Sequence, residues 1–159
     1  MNMEFPQTCH PDTITMYQYW RNKCGDRAMP ARSDIDPVEM PKRLLPGICI
    51  VDLVADARRF VYRLVGTADV EVRGEDPTGQ SVSEGYFGPS AEDALSCYSK
   101  VVETRAPLLD PTPFTTPSGK WISEESLFLP LSDDGKNVNK ILVFSYSRDI
   151  RRYSEKTGL

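Results

Sequence analysis

The chain has 159 residues, the usual size of one domain, with 19 Lys plus Arg against 23 Asp plus Glu. This mildly acidic balance carries no basic patch of the kind that drives nucleic-acid binding by counterion release: Arg58-Arg59 and Arg151-Arg152 are pairs, not runs. A chain this long buries roughly 68–70% of its unfolded surface, so it folds without disulfides or structural metal, and no apolar run approaches the roughly 20 residues of a membrane span.

The first helix is expected after Asp12 as N-cap, over Thr13 to Lys23, with Gly25 as its stop. Ile14, Tyr17, Trp20 and Cys24 form an apolar stripe at helical spacing that needs a cover, either the domain's own sheet or a partner's identical helix. His10 precedes this helix beside Pro11 and reads as an exposed, mobile end. From Arg27 to Pro46 proline and charge dominate. Asp36-Pro37-Val38-Glu39 is a compact helix start, with Asp36 as cap, Pro37 at the first position and Glu39 returning the capping bond. Arg32, Asp34 and Asp36 read as caps and salt bridges rather than a charged site.

The period then changes. Gly47 to Ala55 and Arg59 to Val65 are rich in β-branched and apolar residues, and Asp56-Ala57-Arg58 between them makes an antiparallel hairpin. Strict alternation puts Phe60, Tyr62 and Leu64 on the core face. Thr67 caps a short helical segment with Val70 and Val72 as its apolar residues, and Asp76 to Gly79 is a turn. A clearer helix follows, capped by Ser90, with Ala94, Leu95, Tyr98, Val101 and Val102 on one face and Pro107 closing it. Leu108 to Thr116, broken by Pro111 and Pro113, suits an edge strand. Trp121 to Leu131 and Val138 to Ser147 are two further strands, joined by a hairpin loop at Ser132 to Lys136. The order predicts an α+β domain with a five-stranded antiparallel sheet, helices on one face and an N-terminal flanking helix. The expected division is a helical flank over 1–46, a domain over 47–148 and a charged tail over 149–159.

Several stretches resemble the PAS family found in alphaproteobacterial proteins, often as stand-alone domains. They are Tyr19-Trp20-Arg21, Pro30-Ala31-Arg32-Ser33-Asp34-Ile35-Asp36-Pro37, Leu44-Leu45-Pro46, Arg59 to Thr67, and Leu129 to Gly135. Two strands, small helices with one longer helix, then three strands is also the order of a PAS domain. The resemblance implies a five-stranded sheet whose concave face meets the helices around a core or small cavity. It also implies sensing of ligands, light or redox state, or dimerisation and partner binding. Fold alone does not choose among these.

The chemistry narrows the choice. His10 is the sole histidine, which excludes a His-based triad and a His-rich metal site and leaves no support for haem ligation. Cys9, Cys24, Cys49 and Cys97 lack metal-ligand spacing, and Met1 to His10 lacks the h-region of a signal peptide. Reduced thiols in a soluble cytoplasmic protein are the expectation. None of the four sits in the Asn-Cys-Arg context of a flavin photosensor, and no Walker, G-x-G-x-x-G or G-x-S-x-G motif occurs. No cofactor, metal or catalytic residue is therefore expected.

Two acids remain, Glu124-Glu125, inside a predicted strand, one to each face; Glu125 is in register with Leu127, Leu129 and Leu131. The inward acid is expected in water at the strand's start; a ligand contact, or a general base in a small enzyme, is the alternative, with Arg63 as a candidate counter-ion. The candidate pocket wall is Phe60, Tyr62, Leu64, Tyr98, Val102, Trp121, Glu125, Phe128, Phe144 and Tyr146, which suits a small organic ligand or a filled core. The filled core is preferred. The sequence thus reads as a non-catalytic sensor or adaptor that forms a homodimer through Ile14, Tyr17, Trp20 and Cys24 and signals through another protein.

Overall fold

The computed structural model describes residues 3–67, 70, 74–85, 91–112, 114–115, 122–123 and 125–146. The first helix, α1, runs Pro11–Cys24 and so starts two residues earlier than Asp12 as cap would place it. Proline at the first helical position needs no amide partner and brings a preset φ, so the cap falls on His10, whose Nδ1 accepts the Asp12 amide at 3.1 Å. Asp12 instead pairs with Arg43 at 3.0 Å. Gly25, at φ +57°, ends the helix.

Residues 25–47 pack against the rest of the domain through three short 3-10 segments, Arg32–Asp34, Pro37–Glu39 and Lys42–Gly47. The Asp34 carboxylate accepts the Ala31 amide at 2.8 Å and pairs with Arg27 at 2.9 Å. Asp36 caps Val38 at 3.0 Å as read. Glu39 does not return the capping bond: its carboxylate is taken by Lys23 of α1 at 2.8 Å, because a single 3-10 turn lies directly against that helix. Met29, Ile35, Met40 and Leu44 are buried from this segment.

Among the described residues seven strands follow: β1 (Ile48–Leu53), β2 (Phe60–Val65), β3 (Leu108–Asp110), β4 (Phe114–Thr115), β5 (Ile122–Ser123), β6 (Glu125–Leu131) and β7 (Lys140–Tyr146). Five make one antiparallel sheet in the order β2-β1-β7-β6-β3. The strand expected from Trp121 is divided: β5 pairs with β4 as a separate two-stranded piece, and only β6 joins the main sheet. Helices α2 (Val82–Gly85) and α3 (Ala91–Thr104) lie between β2 and β3, and Tyr98 and Val101 are buried from α3. The expected cap Ser90 and the apolar Val72 lie outside the described residues.

Register sorts the sheet's two faces, since residues directly opposite in an antiparallel pair point the same way. Ile48, Phe144 and Leu127 line up on one face, as do Ile50, Leu142 and Leu129. Tyr146 and Glu125 continue that face at its end. Cys49, Val143, Phe128 and Leu108 share the other. Tyr98 of α3 meets Phe128 and so covers the second face, whereas the His10 ring at the start of α1 lies on Tyr146 and so covers the first. One buried cluster joins α1, residues 29–44, both sheet faces and α3, so the segment before residue 47 is packed into the domain.

The hairpin carries one departure from strict alternation. Ile50 pairs with Leu64 but Val51 with Tyr62, which leaves Arg63 as the extra residue of a β-bulge. Beyond it the parity reverses. Phe60 and Tyr62 are buried, Leu64 is 43% exposed, and Val65 turns inward in its place.

Candidate functional site

The residues that sequence reading gathered into one pocket fall on two faces. On the α3 face, Tyr98 stands between Phe60 and Phe128, with ring centroids 5.3 Å from the first and 5.2 Å from the second. The contact with Phe128 is edge-to-face at 89°, the arrangement favoured by the ring quadrupoles. Tyr62 reaches under α2: a Cβ added at Gly85 would lie 3.3 Å from its ring. Val102 is half-buried beside this group. Trp121 lies outside the described residues.

Glu125, Phe144 and Tyr146 belong to the opposite face, under α1. The reason is parity: Phe128 lies an odd number of positions from Glu125, and Phe144 and Tyr146 pair with Leu127 and Glu125. Leu64 leaves the pocket because of the bulge.

Glu125 is not in water; it is 7% exposed. Its Oε2 accepts the Cys9 thiol at 3.1 Å, and both carboxylate oxygens accept the His10 amide, at 3.2 and 3.3 Å. Arg63 is no counter-ion, being exposed on β2 with β1 and β7 between it and β6. Its described hydrogen bonds come from the residues leading into α1, the Cys9 thiol and the amide of the N-cap His10, at the helix end where the dipole favours an anion. His10 is correspondingly not a mobile end: its ring stacks on Tyr146 with centroids 3.6 Å apart and planes 13° apart. Burial pushes the Cys9 thiol up to about 12, and the hydrogen bond to Glu125 and its charge push the same way. Sequence reading missed Cys9 and His10 as partners of Glu125; the His-Pro pair at a helix start was the available signal.

The stripe read as a dimer interface is largely used inside the protomer. Trp20 is 3% exposed and its Nε1–H donates to the Pro130 carbonyl at 2.9 Å, beyond the last residue of β6 that β3 covers. Tyr17 stacks near it, accepts the Met3 amide at 3.0 Å and meets the Phe5 ring edge-on. Cys24 is fully buried, and Ile14 half-buried; the buried residues of α1 are Thr13, Met16, Tyr17, Trp20 and Cys24. The stripe was legible, but it turns toward the sheet. Among the described residues no group of three or more His, Cys, Asp or Glu is placed to hold a metal, and no helix is long and apolar enough to cross a membrane.

A five-stranded antiparallel sheet with small helices and one longer helix inserted after its second strand is the architecture of the PAS class of sensor domains. The family described as PAS domain matches residues 8–144, α1 included, and the chain belongs to that family. PAS domains serve in general as sensory modules of signalling proteins. No curated protein matches the chain. Among solved structures, the LOV domain of a blue-light activated histidine kinase from Erythrobacter litoralis is similar at 13% identity, covering 64% of this chain and 94% of that one, with a TM-score of 0.45. The PAS domain of an HTR-like protein from Haloarcula marismortui is 20% identical over 67% of this chain and 88% of that one, with a TM-score of 0.42. The blue-light photoreceptor Vivid is 10% identical over 82% and 93%, with a TM-score of 0.49.

Proposed function

We propose that the chain is a non-catalytic PAS module of the cytoplasm that forms a homodimer and passes its signal through contacts with another protein. The observation that carries this reading is Tyr98, wedged between Phe60 and Phe128 on the face where a ligand would sit against α3. The contacts among these three rings support a core packed with side chain, and such contacts are worth more than their area alone. Glu125, the one buried acid among the described residues, is tied to the start of α1 on the far face, where its described partners are the Cys9 thiol and the His10 amide.

Native mass spectrometry of the gently purified protein tests the reading. The expected result is a clean dimer of the 17.9 kDa chain with no added mass. A small discrete mass on the chain or its dimer overturns the adaptor reading and makes the module a small-molecule receptor.

A further inference from the structure

Glu125 ties together parts of the chain far apart in sequence. Its two described partners, the Cys9 thiol and the His10 amide, come from the N-terminal end, 116 and 115 positions away, and both depend on the same carboxylate. Residues 3–10 otherwise fold back on α1 itself, through Met3 and Phe5 against Tyr17. The described hydrogen bonds from this segment to the sheet run to the Glu125 carboxylate, with the stack of His10 on Tyr146 beside them. The same first turn of α1 holds a defect: the Thr13 hydroxyl is buried with no hydrogen-bond partner among the described residues. Opening that turn gives the hydroxyl to water, so this end of the helix is biased toward local release while Trp20 and Met16 hold the rest.

We propose that Cys9, His10 and the first turn of α1 form a thiol-gated clasp on Glu125. Closed, the clasp shelters Cys9; open, it offers the thiol to a small-molecule disulfide, and the mixed disulfide formed there cannot close again.

In the open state the Cys9 thiolate, its proton given to solvent, attacks one sulfur of the disulfide. A new S–S bond forms to Cys9, the original S–S bond breaks, and the departing thiolate takes up a proton. Cys9 is oxidised and the small disulfide is reduced to one equivalent of thiol plus the mixed disulfide. The closed state resists this reaction because burial and the neighbouring carboxylate keep the attacking thiolate scarce. Reclosure then fails for two reasons. The modified sulfur has no hydrogen to donate to Glu125, and the added group would have to displace the neighbours that bury Cys9 in the closed state.

The test is residue-resolved labelling of the full chain by iodoacetamide, followed by mass spectrometry, with the fully buried Cys24 as the internal reference for global unfolding. In Glu125→Gln, which keeps the shape and removes the charge, Cys9 is expected to label at least about tenfold faster than in the wild type while Cys24 stays protected, the effect of losing a charge-assisted hydrogen bond. Glutathione disulfide should add to Cys9 of the wild type reversibly by dithiothreitol, and the adduct should speed amide hydrogen exchange at residues 10–14 but not in β6 or β7. Equal Cys9 rates in wild type and Glu125→Gln overturn the proposal. Should the variant not fold, the wild type is titrated with urea. Cys9 labelling at concentrations that leave Cys24 protected supports the clasp, and simultaneous labelling of both overturns it.

Discussion

Replacing Trp20 by alanine separates the two uses of the apolar stripe on α1. The ring is 3% exposed, sits beside Tyr17 and donates its N–H to the Pro130 carbonyl at 2.9 Å. Truncating a buried Trp costs about 3–5 kcal/mol in lost packing and cavity. The stranded carbonyl adds about 1–3 kcal/mol where water does not reach it. A loss of about 4–8 kcal/mol is then a large part of the roughly 5–15 kcal/mol that holds a domain together. At about 2–4 °C per kcal/mol for a chain of this size, the melting temperature should fall by roughly 10–30 °C. Trp20→Phe keeps most of the packing and removes only the N–H, so its cost should be about 1–3 kcal/mol. Urea unfolding followed by circular dichroism gives both values, and light scattering after size exclusion gives the mass of the folded fraction. Trp20→Ala that stays within about 1 kcal/mol of the wild type while its mass drops from dimer to monomer would refute the reasoning, because the side chain would then serve a partner rather than its own sheet.

Two further substitutions probe the frame around the site. A Cβ at Gly66 would lie 2.1 Å from the Pro46 carbonyl oxygen and 3.0 Å from that of Ile48, both backbone atoms that cannot swing aside. Gly66→Ala should therefore cost at least about 1–3 kcal/mol in urea unfolding, and a neutral result would show that Lys42–Gly47 gives way freely. In the β6–β7 loop, Asp134 accepts the Lys136 and Asn137 amides, each at 2.8 Å, and the Ser132 hydroxyl at 2.9 Å, which hold its carboxyl below the ordinary 3.8. A depressed carboxylate stabilises the fold above its unfolded value, and the contribution is lost as pH falls through the folded one. The melting-temperature gap between wild type and Asp134→Ala should thus be full at pH 5 to 7 and shrink below pH 3.8; a gap independent of pH counts against these bonds.

Local chemistry made much of the fold legible. Asp36 capping Val38, Gly25 ending α1, the turn at residues 56–58 and the helix presenting Tyr98 and Val101 are each decided within a few residues, where propensity and capping act. The bulge at Arg63 is different. It depends on how β2 seats against β1, a long-range matter of register, and alternation alone predicts the wrong orientation for Leu64. The division of β5 from β6 likewise depends on which strand each finds as partner, since β5 pairs with β4 and β6 with β3 and β7.

The site was only half legible, and parity shows why. Sorting Glu125 with Leu127, Leu129 and Leu131 and placing Phe128 on the other face already separates two surfaces of β6; grouping Glu125 with Phe128 in one pocket overrode that period for the sake of composition. Aromatic content cannot tell a sheet with one covered face from a sheet with two. Here α1 covers the second face, so Phe144 and Tyr146 are as buried as Phe60 and Phe128 without sharing a space with them. A carboxylate at the first position of a strand reads as solvated for the same reason. Its partners, Cys9 and His10, are at the other end of the chain, and only the docking of α1 brings the His10 amide and the Cys9 thiol to it. The contact on which the proposed clasp rests therefore lies in the pairing of a flank with the sheet, and each half of that pair taken alone carries little signal: a histidine before a proline, and an acid before a run of leucines.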